Sequence, residues 1–393
     1  MIYGAVLDGV TTRLIPITVL SREGRAQVVG MSSDHATREA GVRLRSAGLS
    51  GTVAVDEPAP KFGSAGLDLA FAAALSGAPP GVYHGSLSLS GEVRSERGAY
   101  GAELAAEALK IPCVLAEPRR PGSRRARTLA EAVAGGTDER ATASLWPTPE
   151  ALALSFADVT HPVAQRALLV AAATDRNLLF IARSGSGATL AARRFLSLLP
   201  DLELHELEDA HRVWDAVGLP FTGQRPFRAP HHTVSSEGLA GGKRRPGEVT
   251  IARHGLLFLD EVPDIMREAW ALMETALERE PLVRVIGVAA PCSCGGHPCV
   301  CVPQEIARHL KRLEGRARLF PLIAPLARDL PACAPITDGP KRVALARSIL
   351  AESPPCEGVV LTARAIAALD ARQSATPSDL AMALPLHVSV VAP

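Results

Sequence analysis

Residues 254–264, His-Gly-Leu-Leu-Phe-Leu-Asp-Glu-Val-Pro-Asp, carry an apolar run into two adjacent carboxylates, Asp260 and Glu261. Buried parallel strands read as continuous apolar runs, and ligands of such sheets gather beyond the carboxyl ends of the strands. Placed there, Asp260 could hold Mg²⁺ through water, and Glu261 could act as the catalytic carboxylate that orients an attacking water. The same string also fits a buried strand that merely ends in two solvated acids. Its meaning therefore depends on a partner motif.

That partner lies about 70 residues upstream. Asn177-Leu-Leu-Phe-Ile-Ala182 reads as a strand and runs through Arg183-Ser-Gly-Ser-Gly-Ala-Thr189 into a helical stretch. A strand, a Gly-rich turn and a helix start together cradle phosphates with free backbone N–H groups. Against the phosphate-loop pattern G-x-x-x-x-G-K-[ST], Gly187 and Thr189 match, Ala182 replaces the first glycine and Ala188 replaces the lysine. The nucleotide-binding candidates are thus Ser184, Gly185, Ser186, Gly187 and Thr189, with Thr189 and Asp260 as the candidate Mg²⁺ ligands. Losing the lysine removes the cation that reaches the β- and γ-phosphates of ATP. A nucleotide-type fold is expected, with weak or absent nucleotide binding.

Cys292, Cys294, Cys299 and Cys301, with His297 between the pairs, place soft ligands in a C-x-C-x4-C-x-C spacing. Four thiolates could close a structural zinc site; free thiols are the alternative reading. Cys113, Cys333 and Cys356 read as core or surface thiols. His231 and His232 follow Pro230 without a carboxylate partner evident in the sequence, and read as a loop packed beside the nucleotide. Lys243-Arg244-Arg245 could contact phosphate or form a solvated loop.

The 393 residues suffice for two or three domains. Residues 1–117 alternate strand-like runs (26–30, 52–55) with helix-like ones (35–47, 67–75). Residues 118–150, with the basic run 118–127, read as a linker. From 151 to 330 the pattern is α/β, and residues 331–393 are Ala-rich, helix-like and broken by prolines. Lys plus Arg (42) nearly balances Asp plus Glu (41), so a nucleic-acid surface would have to be local. No apolar run is long enough for a membrane span, and the opening residues carry no signal-peptide pattern. An odd seven cysteines, four of them clustered, point to a reducing compartment, so the cytoplasm is expected.

Arg225-Pro-Phe-Arg-Ala-Pro-His-His-Thr233, Gly241-Gly-Lys-Arg-Arg-Pro-Gly-Glu248 and His254–Glu261, in that order after the Gly-rich loop, closely resemble the ComM/YifB group of Mg-chelatase-like AAA+ ATPases. The resemblance implies an α/β protein. A Lon-protease-like (ribosomal S5-like) α+β domain (1–117) would precede an AAA+ P-loop three-layer αβα domain (151–330) and a short helical, truncated lid (331–393). Ser64-Ala65-Gly66 aligns with the nucleophile segment of true Lon peptidases, while Tyr100 stands where the dyad lysine would be, so the domain reads as structural or partner-binding. The family's activity implies a hexameric ATP-driven motor on branched DNA, tied to competence and recombination.

This chain departs from the family pattern beyond Ala188. Val288-Ala-Ala-Pro-Cys-Ser-Cys-Gly295 has Ala290 where the family keeps a sensor asparagine. Phe320 falls where the family keeps an arginine offered to a neighbouring subunit, with Arg316 and Arg318 as candidate substitutes. The family's β-hairpin insertion before the sensor strand is missing from 277–291. All these losses fall on hydrolysis and pore machinery. The expectation is therefore an ATPase-deficient binding or regulatory subunit, in a hexamer or in a mixed ring with an intact paralogue, with DNA as a candidate partner. The alternatives are an active branch-migration motor and a chelatase-type ATPase subunit.

Overall fold

The computed structural model describes residues 1–31, 34–55, 64–138, 155–183, 185–242, 245–296, 298–327 and 330–387. They divide into two compact units. One comprises 1–149 with 204–223 and 243–246, and the other comprises 150–203, 224–242 and 247–393.

The first unit is built on a seven-stranded sheet in the order β3-β4-β2-β1-β5-β8-β9. Its strands are β1 (Ile2–Asp8), β2 (Thr11–Arg25), β3 (Gln27–Val29), β4 (Ser50–Val55), β5 (Gly81–His84), β8 (Cys113–Leu115) and β9 (Ser123–Arg125). A short hairpin, β6 (Ser86–Leu87) with β7 (Val93–Arg94), stands apart from the sheet. β1–β2 and β2–β4 are antiparallel, and the other pairs of the sheet are parallel. Helices α1 (Asp34–Ser46), α2 (Asp68–Ser76), α3 (Ala99–Ala108) and α4 (Leu129–Val133) complete the N-terminal part. Every residue from Asp68 to Leu75 is buried, because α2 has Ala and Leu on all sides and only Asp68 as a charge. Asp68 is held by the Arg43 guanidinium at 2.6 Å.

Residues 118–138, expected as part of a linker, are instead folded into this unit. Strand β9 pairs with β8, and α4 begins at Thr128, whose hydroxyl accepts from the Glu131 amide. The basic run is tied down because acceptors meet it. The Arg119 and Arg120 amides donate to the buried Glu103, and the Arg120 guanidinium pairs with Glu107 and Glu208.

Helix α7 (Leu204–Val217) belongs to this unit although it lies within the segment expected to be wholly AAA+. It packs on α3, where Asp215 accepts the Tyr100 amide at 3.0 Å, and the His211 ring stacks on Tyr100 at 3.9 Å. The Tyr100 hydroxyl accepts from Arg120, and burial pushes its pKa up to about 12. It therefore stays protonated and cannot take the proton that a dyad lysine would. Ser64 sits in a short 3₁₀ turn.

The second unit carries a five-stranded sheet in the order β11-β12-β13-β10-β14. Its strands are β10 (Leu178–Ala182), β11 (Phe227–Arg228), β12 (Leu256–Leu259), β13 (Arg284–Ala289) and β14 (Leu322–Leu326), all parallel. β10 and β12 are buried almost throughout, as strands covered on both faces must be. The two faces are separate cores. One joins α5 (Pro162–Thr174), α6 (Ala188–Arg194), α12 (Gly339–Ala351), α13 (Gly358–Leu369) and α14 (Pro377–Ala383) to the sheet. The other is formed with α8 (Ser236–Ala240), α9 (Glu248–Ile251), α10 (Arg267–Arg279) and α11 (Pro303–Ala317). α10 passes into β13 through residues 280–283 alone, with no strand pair between them.

Candidate functional site

β10 leads the chain to a loop in which Gly185 and Gly187 adopt positive φ of 80° and 81°, a conformation open to glycine, before α6 begins at Ala188. β12, two strands away across β13, ends at Leu259 and delivers Asp260 and Glu261 to the same edge of the sheet. A cavity of about 550 Å³ lies there, within the usual range of small-ligand sites. It is lined by Gly185, Ser186, Gly187 and Thr189 from the loop, by Asp260 and Glu261, and by Ala290 and Cys292. The nucleotide and Mg²⁺ candidates quoted from the sequence thus line one cavity, except Ser184, which lies outside the described residues; of the four cysteines, Cys292 and Cys294 line it. Ala188 also lines it, and its methyl group stands where a phosphate-loop lysine would start. Arg183 is the only arginine or lysine among the described lining residues, and it donates to the Gly296 carbonyl. Asp260, Glu261 and Asp264 supply opposing negative charge.

Glu261 is held in an uncommon way. Its φ of 49° is left-handed, which costs a non-glycine residue on the order of 1 kcal/mol or more. Its amide donates to Asp260 Oδ1 at 2.9 Å, and its carboxylate is 2.5 Å from His232 Nδ1. The carboxylate partner that the sequence left unseen for His232 is therefore Glu261 itself. His231 turns instead to the Thr233 hydroxyl at 2.9 Å.

The arginines of the Arg225–Thr233 string build this arrangement. Arg225 donates to the His254 carbonyl at 2.7 Å and to the Pro200 carbonyl at 2.8 Å. Arg228 makes a two-pronged pair with Glu248 at 2.5 and 2.8 Å. These contacts fix β11 beside β12, so that His232 reaches the end of the neighbouring strand. Gly255 is required here, since a Cβ would stand 2.0 Å from the Pro226 carbonyl oxygen.

The positions vacated relative to the family pattern are occupied by other structure. Phe320 is buried in the core, close enough to Gly287 that a Cβ there would meet its ring at 2.7 Å. Arg316, a candidate substitute for the missing arginine, is buried too. Its guanidinium donates to the Val262 and Ile265 carbonyls and lies over the Trp270 ring, so it braces the turn after Glu261 and is not available to a neighbouring subunit. Arg318 is exposed at the end of α11. Beside Ala290 stands His309, which no motif in the sequence marks. Its Nε2 donates to the Ala290 carbonyl at 2.8 Å, while Nδ1 is buried, with no hydrogen-bond partner among the described residues, in a ring that lines the cavity.

The cysteine sulfurs converge. Cys292 and Cys294 are 3.5 Å apart, Cys294 and Cys299 3.7 Å, and Cys299 and Cys292 3.4 Å. Amides of Val300 and Gly296 donate to Cys294 and lower its thiol to about 6, whereas burial and the neighbouring thiols push Cys292 up to about 12. His297, Lys243 and Arg244 lie outside the described residues, as do Lys61–Gly63.

A parallel sheet in this order, with a glycine loop after the fourth strand of the row and paired acids after the second, defines an AAA+-type nucleotide fold. The sequence model of the family described as magnesium chelatase, subunit ChlI, matches residues 155–285. The competence protein ComM of Haemophilus influenzae is 34% identical over 175 residues, 39% of this chain and 34% of that protein. Rv2897c, an uncharacterised protein of Mycobacterium tuberculosis, is 32% identical over 303 residues, 65% of this chain and 60% of its own. The uncharacterised YifB of Escherichia coli is 31% identical over 174 residues, 38% of this chain and 34% of its own. The match to the magnesium chelatase family is confined to residues 155–285, and through it the chain is similar to the ComM/YifB group of Mg-chelatase-like proteins. It spans between 34% and 60% of the length of these relatives. Among the described residues no helix is long and apolar enough to cross a membrane.

Proposed function

We propose that the second unit is a degenerate nucleotide site that binds ATP with Mg²⁺ weakly and turns it over at or near background. The chain would then serve as a binding or regulatory member of a ring, mixed with an intact paralogue, in bacterial DNA processing. The observation that carries this reading is the charge of the cavity: Ala188 leaves no lysine, and Arg183, its one arginine among the described lining residues, is committed to a carbonyl.

The residues present fit Mg²⁺ better than they fit the triphosphate. Thr189 offers a hydroxyl and Asp260 a carboxylate, both lining the cavity, a donor set suited to a hard cation. When bound, the ion would neutralise phosphate charge. The chain itself would supply the loop amides that shape the phosphate pocket and Glu261, which His232 holds ready to orient a water. What is lacking is stabilisation of the charge that develops during transfer. An arginine given by a neighbouring subunit contributes about 10³–10⁵ in turnover in related chemistry, and here Phe320 occupies that position while Arg316 is buried. The competence and recombination role rests on the family resemblance and on the name of ComM.

The test is steady-state ATP turnover of the full chain beside its Glu261→Gln variant, with and without branched DNA. Equal, near-background rates are expected. Turnover comparable to that of an intact family member, lost in Glu261→Gln, would overturn the proposal.

A further inference from the structure

The described residues of 290–302, between β13 and α11, form only turns, bends and irregular backbone, yet they are part of the cavity wall through Ala290, Cys292, Ser293, Cys294 and Gly295. Little apolar packing holds them. Cys292 is buried, but Val300 and Val302 are 80% and 51% exposed. What the segment has in place of a core is sulfur. The four Sγ atoms all lie within 4.8 Å of one another, and all four cysteines are free of disulfides.

The spacing has a specific geometric meaning. Four sulfurs about 2.3 Å from a tetrahedral zinc stand about 3.8 Å from each other. The three sulfur pairs of Cys292, Cys294 and Cys299, at 3.4–3.7 Å, form a face slightly tighter than such a tetrahedron. Cys301 supplies the fourth corner. Gly295, at φ 59°, reverses the chain between the two C-x-C pairs, and the Gly296 and Val300 amides point at the Cys294 sulfur. Sulfur ligands on a loop closed in this way select zinc over the hard cations that carboxylates prefer.

We propose that Cys292, Cys294, Cys299 and Cys301 hold one structural zinc ion, which substitutes for a packed core in residues 290–302 and fixes the cavity wall against which Arg183 rests. The Arg183 guanidinium donates to Gly296, inside the loop, so ordering the loop also sets where the only lysine or arginine of the described cavity lining points. Binding releases the thiol protons and contributes folding free energy to a segment that has little of its own. The zinc site does not depend on the nucleotide reading, because its readouts contain no nucleotide.

The experiment is elemental analysis of the full chain purified without chelator from zinc-supplemented cells, followed by release of metal with a mercurial and a colorimetric zinc indicator. About one zinc per chain is expected, released as four thiols are modified. Cys294→Ser with Cys299→Ser should lose it, and Cys356→Ser should keep it. Should the double variant fail to fold, wild-type protein stripped by chelator and titrated with Co²⁺ gives a second reading. A tetrahedral thiolate spectrum is then expected, with slowed amide exchange in 290–302 when zinc is returned. Three results would overturn the proposal: less than about a tenth of a zinc per chain with all cluster thiols as reactive as Cys356, visible iron–sulfide absorption, or amide exchange in 290–302 indifferent to zinc.

Discussion

His232 Nδ1 lies 2.5 Å from Glu261 Oε2, a pair that joins the histidine string after β11 to the carboxylate at the end of β12. It holds the side chain of a residue whose backbone is already in the left-handed region. Both partners are partly exposed, at 26% and 57%, so the pair positions more than it stabilises. His232→Ala should lower unfolding free energy by less than about 1 kcal/mol in urea titration. A loss above about 3 kcal/mol would mean that the pair is part of the core and not part of the site.

Ala188→Lys should place an ammonium at the empty end of the cavity. One charge-assisted contact is worth roughly 1.5–3 kcal/mol, so affinity for an ATP analogue should rise about ten- to a hundredfold. Turnover should change by less than about tenfold, because in the proposed reading Phe320 stands where the transferring phosphoryl group would need an arginine. Full activity from this one change would show that Phe320 and Ala290 had been misread.

Phe320→Arg restores the family's residue type but should not restore its role. The ring is buried against Gly287 and Trp270. A guanidinium there loses that packing and buries a charge, costing at least about 3 kcal/mol. Thermal unfolding should show a large drop in Tm. A variant as stable as the wild type would mean that the segment can turn outward.

In the first unit His211 gives a pH test. Its Nε2 is 3.3 Å from an Arg119 nitrogen and so accepts while neutral, and burial first, then the charges of Arg119 and Arg120, lowers its pKa to about 3. The unfolded chain binds a proton near pH 6.5 that the folded chain refuses. Stability from this group is therefore complete above about 6.5 and is lost as pH falls toward about 3, on the order of 2 kcal/mol by pH 5. Asp215, raised to about 6 by burial, acts in the opposite sense, adding stability below about 4 that is lost as pH rises through 6. His211→Gln should flatten or reverse the loss between pH 7 and 5 in thermal unfolding. An unchanged profile would remove His211 as its source.

The parts of this fold legible in the sequence were those with strong local pattern. The apolar runs of β10 and β12 and the glycines at 185 and 187 are local, and their convergence follows from parallel topology. The cysteine cluster was legible as composition, but its distances required the Gly295 reversal. What could not be read depends on distant acceptors. Residues 118–127 look like a linker until Glu103 and Glu208 meet their arginines. Arg316 looks like a free cation until the Val262 and Ile265 carbonyls claim it. Helix α7 has an amphipathic sequence that does not say which unit it covers, and Asp215 on the Tyr100 amide decides it. His232 and His309 acquire meaning only through a strand and a helix far away in sequence.

The most direct measurement is titration of the full chain with a fluorescent ATP analogue, with and without Mg²⁺. Binding weaker than about 0.1 mM, or none, is expected, with Mg²⁺ improving whatever is seen through Thr189 and Asp260. Saturable binding tighter than about 1 µM in the wild type would contradict the claim that this cavity, lacking a lysine at 188, is a degenerate nucleotide site.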